Sequence, residues 1–89
     1  MISVIIPVYN AEKSIEKSLI SIEEQNWNGD FEILFVNDGS TDQSAEIIQN
    51  YQQKNPDQNI TLIHQENGGV SKARNTAMKI AKGDFIAFL

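Results

Sequence analysis

The chain has no cysteine, only one histidine and only two prolines among its 89 residues. Without cysteine it forms no disulfide and offers no thiolate ligand, and the lone His64 has no second histidine with which to hold a metal. No apolar run approaches the roughly 18 residues of a membrane-spanning helix. The first residues also lack the basic start of a signal peptide. We therefore expect a cytoplasmic protein without a metal site of its own.

Basic residues are also scarce, since 7 Lys and Arg oppose 12 Asp and Glu for a formal net charge of −5. Such a balance argues against nucleic acid as a partner, because phosphate backbones select basic surfaces. The charge is unevenly distributed, however. The segment from position 72 to 82 contains no acid and four basic residues, which are Lys72, Arg74, Lys79 and Lys82.

Short apolar stretches alternate with amphipathic ones along the whole chain. Strands are predicted at residues 2–6, 33–36, 60–63 and 84–89, and helices at about 11–25, 41–54 and 70–82. This alternation predicts a parallel sheet with right-handed crossovers. We expect one partial α/β domain over residues 1–89, a Rossmann-like three-layer sandwich with strand order 3-2-1-4. Ligands would bind at the carboxyl edge, near the switch point between strands 1 and 4.

Local signals predict how several elements begin and end. Pro7 should stop the first strand, because it cannot donate to a ladder, and Asn10 is a good N-cap for the first helix. Ser40 and Gln43 have the spacing of a capping box for the second helix. Gly83 should follow the third helix as its C′ residue. Trp27 is interpreted as a local packing residue.

Asp38 lies at the abrupt end of the most apolar predicted strand, between Asn37 and Gly39. The carboxyl ends of parallel strands are where open α/β sheets bind ligands, so a carboxylate here is placed as a binding group. Asp is also a common turn residue. The local sequence alone leaves both interpretations open.

The start of the third helix carries two cations where cations are mildly unfavourable. Lys72 and Arg74 lie in its first turns, close to the positive end of the helix dipole. Gly68 and Gly69 precede them and resemble the helix starts that offer free N–H groups to phosphate. The two cations could equally be solvated surface charges. Tyr9, at the predicted switch point, could stack on a flat base or simply cover the sheet edge.

Several familiar motifs are absent. The loop after the first strand reads Pro7-Val8-Tyr9-Asn10 rather than G-x-G-x-x-G, and there is no G-x-x-x-x-G-K-[ST]. Dinucleotide dehydrogenases and P-loop NTPases are therefore disfavoured. No acidic pair follows the first strand, so a receiver domain is poorly supported, and a single histidine leaves no plausible Ser/His/Asp set.

Four segments in order resemble the family 2 glycosyltransferases of the GT-A fold. They are Val4 to Asn10 (VIIPVYN), Phe35 to Asp42 (FVNDGSTD), Asn67 to Asn75 (NGGVSKARN) and Ala81 to Leu89 (AKGDFIAFL). The resemblance spans the whole chain. It implies the N-terminal, nucleotide-sugar-binding portion of such an enzyme, with a nucleotide-sugar donor, a UDP-sugar in most of the family.

The resemblance also implies a role for each matched residue. Asp38 would accept a hydrogen bond from N3–H of uracil, and Gly69 would let the backbone approach the nucleoside. The other nucleotide-binding residues would be Pro7 and Tyr9 flanking the base, Val8 between them, and Arg74, with Lys72, on the base or diphosphate. Asp42 is left out of the site as a cap of the second helix. No catalytic residue is assigned in this chain.

In the family an Asp-x-Asp motif follows the strand that matches Phe85 to Leu89 and holds Mn²⁺ or Mg²⁺ on the diphosphate. This chain ends at Leu89, so we expect those ligands and the general base to lie beyond it. We expect no tightly bound metal here and an inactive piece of the enzyme.

The resemblance implies that the full-length protein transfers a sugar with inversion to a glycan or lipid-linked acceptor, at the inner face of the membrane. The alternative is a non-catalytic α/β module that binds a nucleotide or a protein. We also expect self-association through the apolar edge near Phe85 to Leu89.

Overall fold

A computed structural model describes residues 1–24 and 30–89. Four strands form one parallel sheet: β1 (Ile2–Val8), β2 (Phe31–Asp38), β3 (Ile60–Gln65) and β4 (Phe85–Phe88). Their order is β3-β2-β1-β4, and every neighbouring pair is parallel. The predicted fold class and strand order are confirmed. The predicted end of the first helix and Trp27 lie outside the described residues.

Three helices connect the strands: α1 (Ile15–Glu24), α2 (Ser44–Lys54) and α3 (Val70–Ile80). Each is amphipathic, and each buries its apolar stripe against the sheet because that removes apolar surface from water. In the described part of the chain no helix is long and apolar enough to cross a membrane.

The alternation of side chains along β1 and β2 creates two cores, one on each face of the sheet. One core joins Val4, Ile6 and Phe35 to apolar residues of α1 and to Ile48 of α2. The other joins Ile5, Leu34 and Val36 to Ala73 and Ala77 of α3. The layers are therefore α1 and α2, the sheet, and α3, as expected for a three-layer sandwich.

Pro7 does not end β1, and that prediction was wrong. β1 continues to Val8, and Pro7 is paired with Val36 of β2. The Leu89 N–H donates to the Ile5 carbonyl, so the backbone polar groups of Ile5 point toward β4. Residues two apart in a strand direct these groups to the same side, so the Pro7 nitrogen also points to the β4 side. It lies beyond Phe88, the last residue of β4 that is paired with β1. The missing donor therefore costs the β1–β2 ladder nothing.

The helix starts were also predicted incorrectly, because the loops after β1 and β2 cap each other. The Asn10 side chain accepts from the Thr41 N–H rather than capping α1, and Ser40 Oγ accepts from the Asn10 N–H rather than opening a capping box. Asp42 accepts from the Glu12 N–H with one oxygen and from Ser44 with the other. Asp42 is thus a cap, as predicted, but of two segments at once.

The third helix is shorter than predicted. It ends at Ile80 with Ala81 as its C-cap, so Gly83 is not its C′ residue, and Val70 and Ile80 are exposed. Gly83 instead allows a close approach to β1. A Cβ there would lie 2.6 Å from Ser3 Oγ and 2.8 Å from the Met1 carbonyl oxygen.

Candidate functional site

The last residues of β2 and β3 form the floor of the candidate site. Asp38 and Gln65 are neighbours in the parallel register, and each ends its strand. The loop after Gln65 leads into α3, whose N-terminus therefore meets the end of β2. This arrangement follows from the strand order, since the carboxyl ends of parallel strands lie at one edge.

The Asp38 carboxylate is buried and lies at the start of α3. Its Oδ1 accepts hydrogen bonds from Gln65 Nε2 and from the Gly68 N–H, both at 2.8 Å. Its Oδ2 accepts one from the Gly69 N–H at 2.9 Å. The side chain therefore does more than make a turn: it accepts the backbone donors at the beginning of α3, which would otherwise be unpaired.

These contacts keep the carboxylate charged. The hydrogen bond from Gln65 and that from the Gly68 N–H lower the pKa of Asp38 below its ordinary value, and Gly69 and the nearby Lys72 ammonium lower it further. Each of these groups favours the ionised form, because each presents positive charge to an oxygen. At neutral pH the site therefore contains a fixed acceptor.

The glycines do not offer free N–H groups to phosphate, which corrects one expectation. The N–H groups of Gly68 and Gly69 are both donated to Asp38. Gly69 nevertheless has a φ of +92°, a conformation that favours glycine, and no atom lies within 4 Å of the position a Cβ would take. The space beside the Gly69 backbone is therefore open.

A second set of side chains holds the site residues in place. Thr76 Oγ1 of α3 donates to Gln65 Oε1 at 2.6 Å, and Asn67 Nδ2 donates to the Asp38 carbonyl at 3.1 Å. The loop of Asn67 packs so closely on Gly39, whose φ is +74°, that a Cβ there would lie 2.9 Å from the Asn67 nitrogen.

The two cations are exposed and lie on either side of the α3 start. Lys72 folds back over Gly68, where a Cβ would meet its Cδ. Arg74 places its guanidinium 5.0 Å from the centroid of the Phe88 ring of β4, in a cation–π contact. The structure therefore brings Lys72 to Asp38 and directs Arg74 toward β4.

The last residues of β1, with Tyr9 directly after them, occupy the adjacent part of the same edge. Tyr9 is 55% exposed and Pro7 is half-buried, whereas Val8 is 1% exposed and belongs to the core under α1. Val8 therefore has only its main chain to present to a ligand.

The sequence reasoning ended the third strand at residue 63 and did not identify Gln65, Asn67 or Thr76 as site residues. The only available signal for Gln65 was a polar residue at the end of an apolar stretch. His64 lies in β3, where its Nδ1 is 3.1 Å from Asn37 Nδ2. Within residues 1–24 and 30–89, no group of three His, Cys, Asp or Glu residues could hold a metal ion.

The model of one protein family, Glycosyl transferase family 2, matches residues 3–89. The chain belongs to this family. It is 45% identical over 89 residues to the uncharacterized glycosyltransferase EpsJ of Bacillus subtilis, of which it covers 25%. Family membership confirms the resemblance drawn from the four sequence segments.

Two solved structures are similar in both fold and sequence. Staphylococcus aureus TarS 1–349 in complex with UDP-GlcNAc has a TM-score of 0.87 and 40% identity, over 99% of this chain and 25% of TarS. The mannosyltransferase PcManGT of Pyrobaculum calidifontis, in complex with GDP-Man and Mn²⁺, has a TM-score of 0.90 and 33% identity, over 96% of this chain and 25% of that protein. The chain thus spans about a quarter of the length of these relatives.

Proposed function

We propose that this chain binds the nucleotide of a sugar donor, a UDP-sugar, in a glycosyltransferase. The observation that supports the proposal best is the Asp38 carboxylate. It is held in place by Gln65, Gly68 and Gly69, and it borders the open space at Gly69. A fixed carboxylate suits a ligand that offers an N–H donor, as the N3–H of uracil does.

The other residues are proposed to surround that contact. Pro7 and Tyr9 would flank the base, with Val8 contributing main chain only, and Gly69 would allow the nucleoside to approach the backbone. Arg74 and Lys72 would contact the base or the diphosphate. Their positions at the start of α3 support this, because an anion would offset two cations beside the positive end of a helix.

We propose that the whole protein transfers the sugar with inversion to a glycan or lipid-linked acceptor, in the cytoplasm at the inner face of the membrane. The named relatives support a transferase over a non-catalytic binding module.

PcManGT was solved with Mn²⁺, and we propose that Mn²⁺ or Mg²⁺ assists the whole enzyme. The described residues do not fit a metal site, so its ligands are proposed to lie beyond Leu89.

Titration of the isotope-labelled chain with UDP, followed by amide NMR with and without Mn²⁺, tests the binding proposal. We expect weak binding that is indifferent to Mn²⁺, with shifts at Tyr9, Asp38, Gly69 and Arg74. Asp38→Asn should reduce the affinity about tenfold or more, because a hydrogen bond to a charged group is lost. Asp57→Asn, at an exposed position, is the matched control. A folded chain without shifts at millimolar UDP would refute the proposal.

We also propose that the 89-residue chain self-associates through β4. Phe85, Ile86 and Phe88 of this edge strand and the adjoining Leu89 are exposed, and an apolar edge is a template for pairing with another strand. Sedimentation at rising concentration should show a dimer or larger species. Ile86→Lys should abolish it and Ile20→Lys, on α1, should not. A monomer at all concentrations would contradict this proposal.

A further inference from the structure

The two oxygens of the Asp38 carboxylate are not equivalent. Within residues 1–24 and 30–89, Oδ1 accepts two hydrogen bonds, from Gln65 Nε2 and the Gly68 N–H, whereas Oδ2 accepts one, from the Gly69 N–H. A carboxylate oxygen has two lone pairs and so takes about two donors. The Oδ1 atom is therefore saturated, and Oδ2 retains one acceptor position.

This asymmetry depends on the orientation of the Gln65 amide. Thr76 Oγ1 has a single hydrogen and lies 2.6 Å from Gln65 Oε1 and 2.9 Å from the Lys72 carbonyl oxygen. Donation to the closer Oε1 leaves Nε2 as the group that faces Asp38, at 2.8 Å. The chain from Thr76 through Gln65 to Asp38 thus turns an amide donor, rather than an acceptor, toward Oδ1.

We infer that Gln65 is a specificity-determining residue that makes Asp38 a single acceptor and so selects uracil over guanine. The inference rests on the proposed function, in which Asp38 receives the base. The Watson–Crick edge of uracil carries one donor, N3–H, which the free position on Oδ2 satisfies. Guanine presents two adjacent donors, N1–H and N2–H, which require an acceptor on each oxygen. With Oδ1 saturated, one guanine donor is left unpaired, and an unpaired buried donor is costly.

Gln65 acts through Asp38 rather than by touching the base, so its test must separate selectivity from stability. Titrations with UDP and GDP serve this purpose, because the two ligands share their diphosphate and differ only in the base. The unmodified chain should bind UDP more tightly than GDP. Gln65→Met, which keeps the length of the side chain and removes the donor, frees a position on Oδ1. We expect it to reduce the preference for UDP over GDP about tenfold.

Gln65→Glu adds a readout that a purely structural role would not produce. At low pH the new carboxyl group is protonated, donates its O–H to Oδ1 and preserves the preference for UDP. At higher pH it ionises, repels Asp38 and loses that hydrogen bond. The preference for UDP should therefore fall between about pH 5 and pH 8 in this variant, while that of the unmodified chain stays constant. Gln53→Glu, at an exposed position of α2, is the matched control.

The outcomes distinguish this inference from the proposed function. If the unmodified chain binds UDP but Gln65→Met keeps the full preference, or Gln65→Glu shows no pH dependence, the selective role of Gln65 is refuted and nucleotide binding stands. Equal affinity of the unmodified chain for UDP and GDP would also refute the selective role alone. An unmodified chain that binds neither nucleotide would refute both proposals.

Discussion

At the residue scale, Asp38 accepts the donors at the start of α3 and is also proposed to accept a hydrogen bond from a ligand. Its contacts with Gly68 and Gly69 belong to the fold, and the remaining acceptor position on Oδ2 is available for binding. In the proposed function, the same residue is therefore both structural and functional. Substituting it should affect stability and affinity together, which is why the selectivity experiments above are directed at Gln65.

Phe88 is expected to position Arg74 through their cation–π contact. If Arg74 binds the diphosphate, Phe88→Leu should lower the affinity for UDP about two- to fivefold and leave the affinity for uridine almost unchanged. This magnitude follows because an exposed cation–π contact contributes about 0.5–1 kcal/mol. Phe88→Tyr should retain the unmodified affinity. Calorimetric titrations with UDP and uridine measure the difference, and Phe85→Leu, at a 71% exposed position, is the control. Equal losses for both ligands would contradict a contact of Arg74 with the diphosphate.

At the element scale, α1 and α2 are tied together at their N-termini by Ser44. Its buried hydroxyl accepts from the Ala11 N–H at 2.8 Å and donates to Asp42 Oδ1 at 2.6 Å. Ser44→Ala should lower the free energy of unfolding by about 1–2 kcal/mol, because it removes two hydrogen bonds and leaves the Ala11 N–H without its acceptor. Urea unfolding measures the change. Ser71→Ala, at an exposed position of α3, should be close to neutral.

The junction of α3 and β4 depends on the close approach of Gly83 to β1. Its N–H donates to Ser3 Oγ at 2.9 Å, and any Cβ would overlap Ser3 and the Met1 carbonyl. Gly83→Ala should therefore destabilise the chain by about 1–3 kcal/mol, the usual cost of overpacking. Gly68→Ala provides the comparison, because there the added Cβ meets only the flexible Lys72 side chain. Equal unfolding midpoints for the two variants would contradict this account.

At the scale of the whole molecule, three carboxylates among the described side chains link stability to pH. Burial raises the pKa of Glu32, but hydrogen bonds from Ser3 Oγ and the Lys82 N–H more than offset it, and the net pKa is lowered. The pKa of Asp38 is lowered chiefly by Gln65. Burial raises the pKa of Asp42, but hydrogen bonds from the Ser44 hydroxyl and N–H lower it overall. The unfolded chain therefore binds more protons in acid than the folded chain does.

The free energy of unfolding should consequently be highest above the ordinary values of 4.5 for Glu32 and 3.8 for the two Asp residues. It should fall as the pH is lowered through their depressed folded values. Glu32→Gln should be less stable than the unmodified chain at pH 7, and the two curves should converge in acid. Urea unfolding over a pH series measures both curves, with Glu66→Gln as an exposed control. Parallel curves would show that Glu32 makes no pH-linked contribution.

The order of elements and the family were accessible from the sequence because both depend on local pattern. Alternating apolar and amphipathic segments require a sheet covered by helices, and four strands with three right-handed crossovers leave few strand orders. The position of Asp38 followed as well, because it ends the most apolar strand. The end of β1 did not, since Pro7 fits in the strand because its nitrogen is turned away from β2, and that orientation depends on how the neighbouring strands pair.

The periodicity of apolar residues along the chain was enough to predict the sheet, its helices and the edge at which a ligand is proposed to bind. That periodicity does not indicate which polar groups meet at this edge, because it is the folding of the chain that brings them together. Gln65, Gly68 and Gly69 lie 27 or more positions from Asp38, and Asn10 lies 31 from Thr41. Hydrogen bonds between groups so far apart leave no periodic signal in the sequence, since they depend on where whole strands end relative to one another.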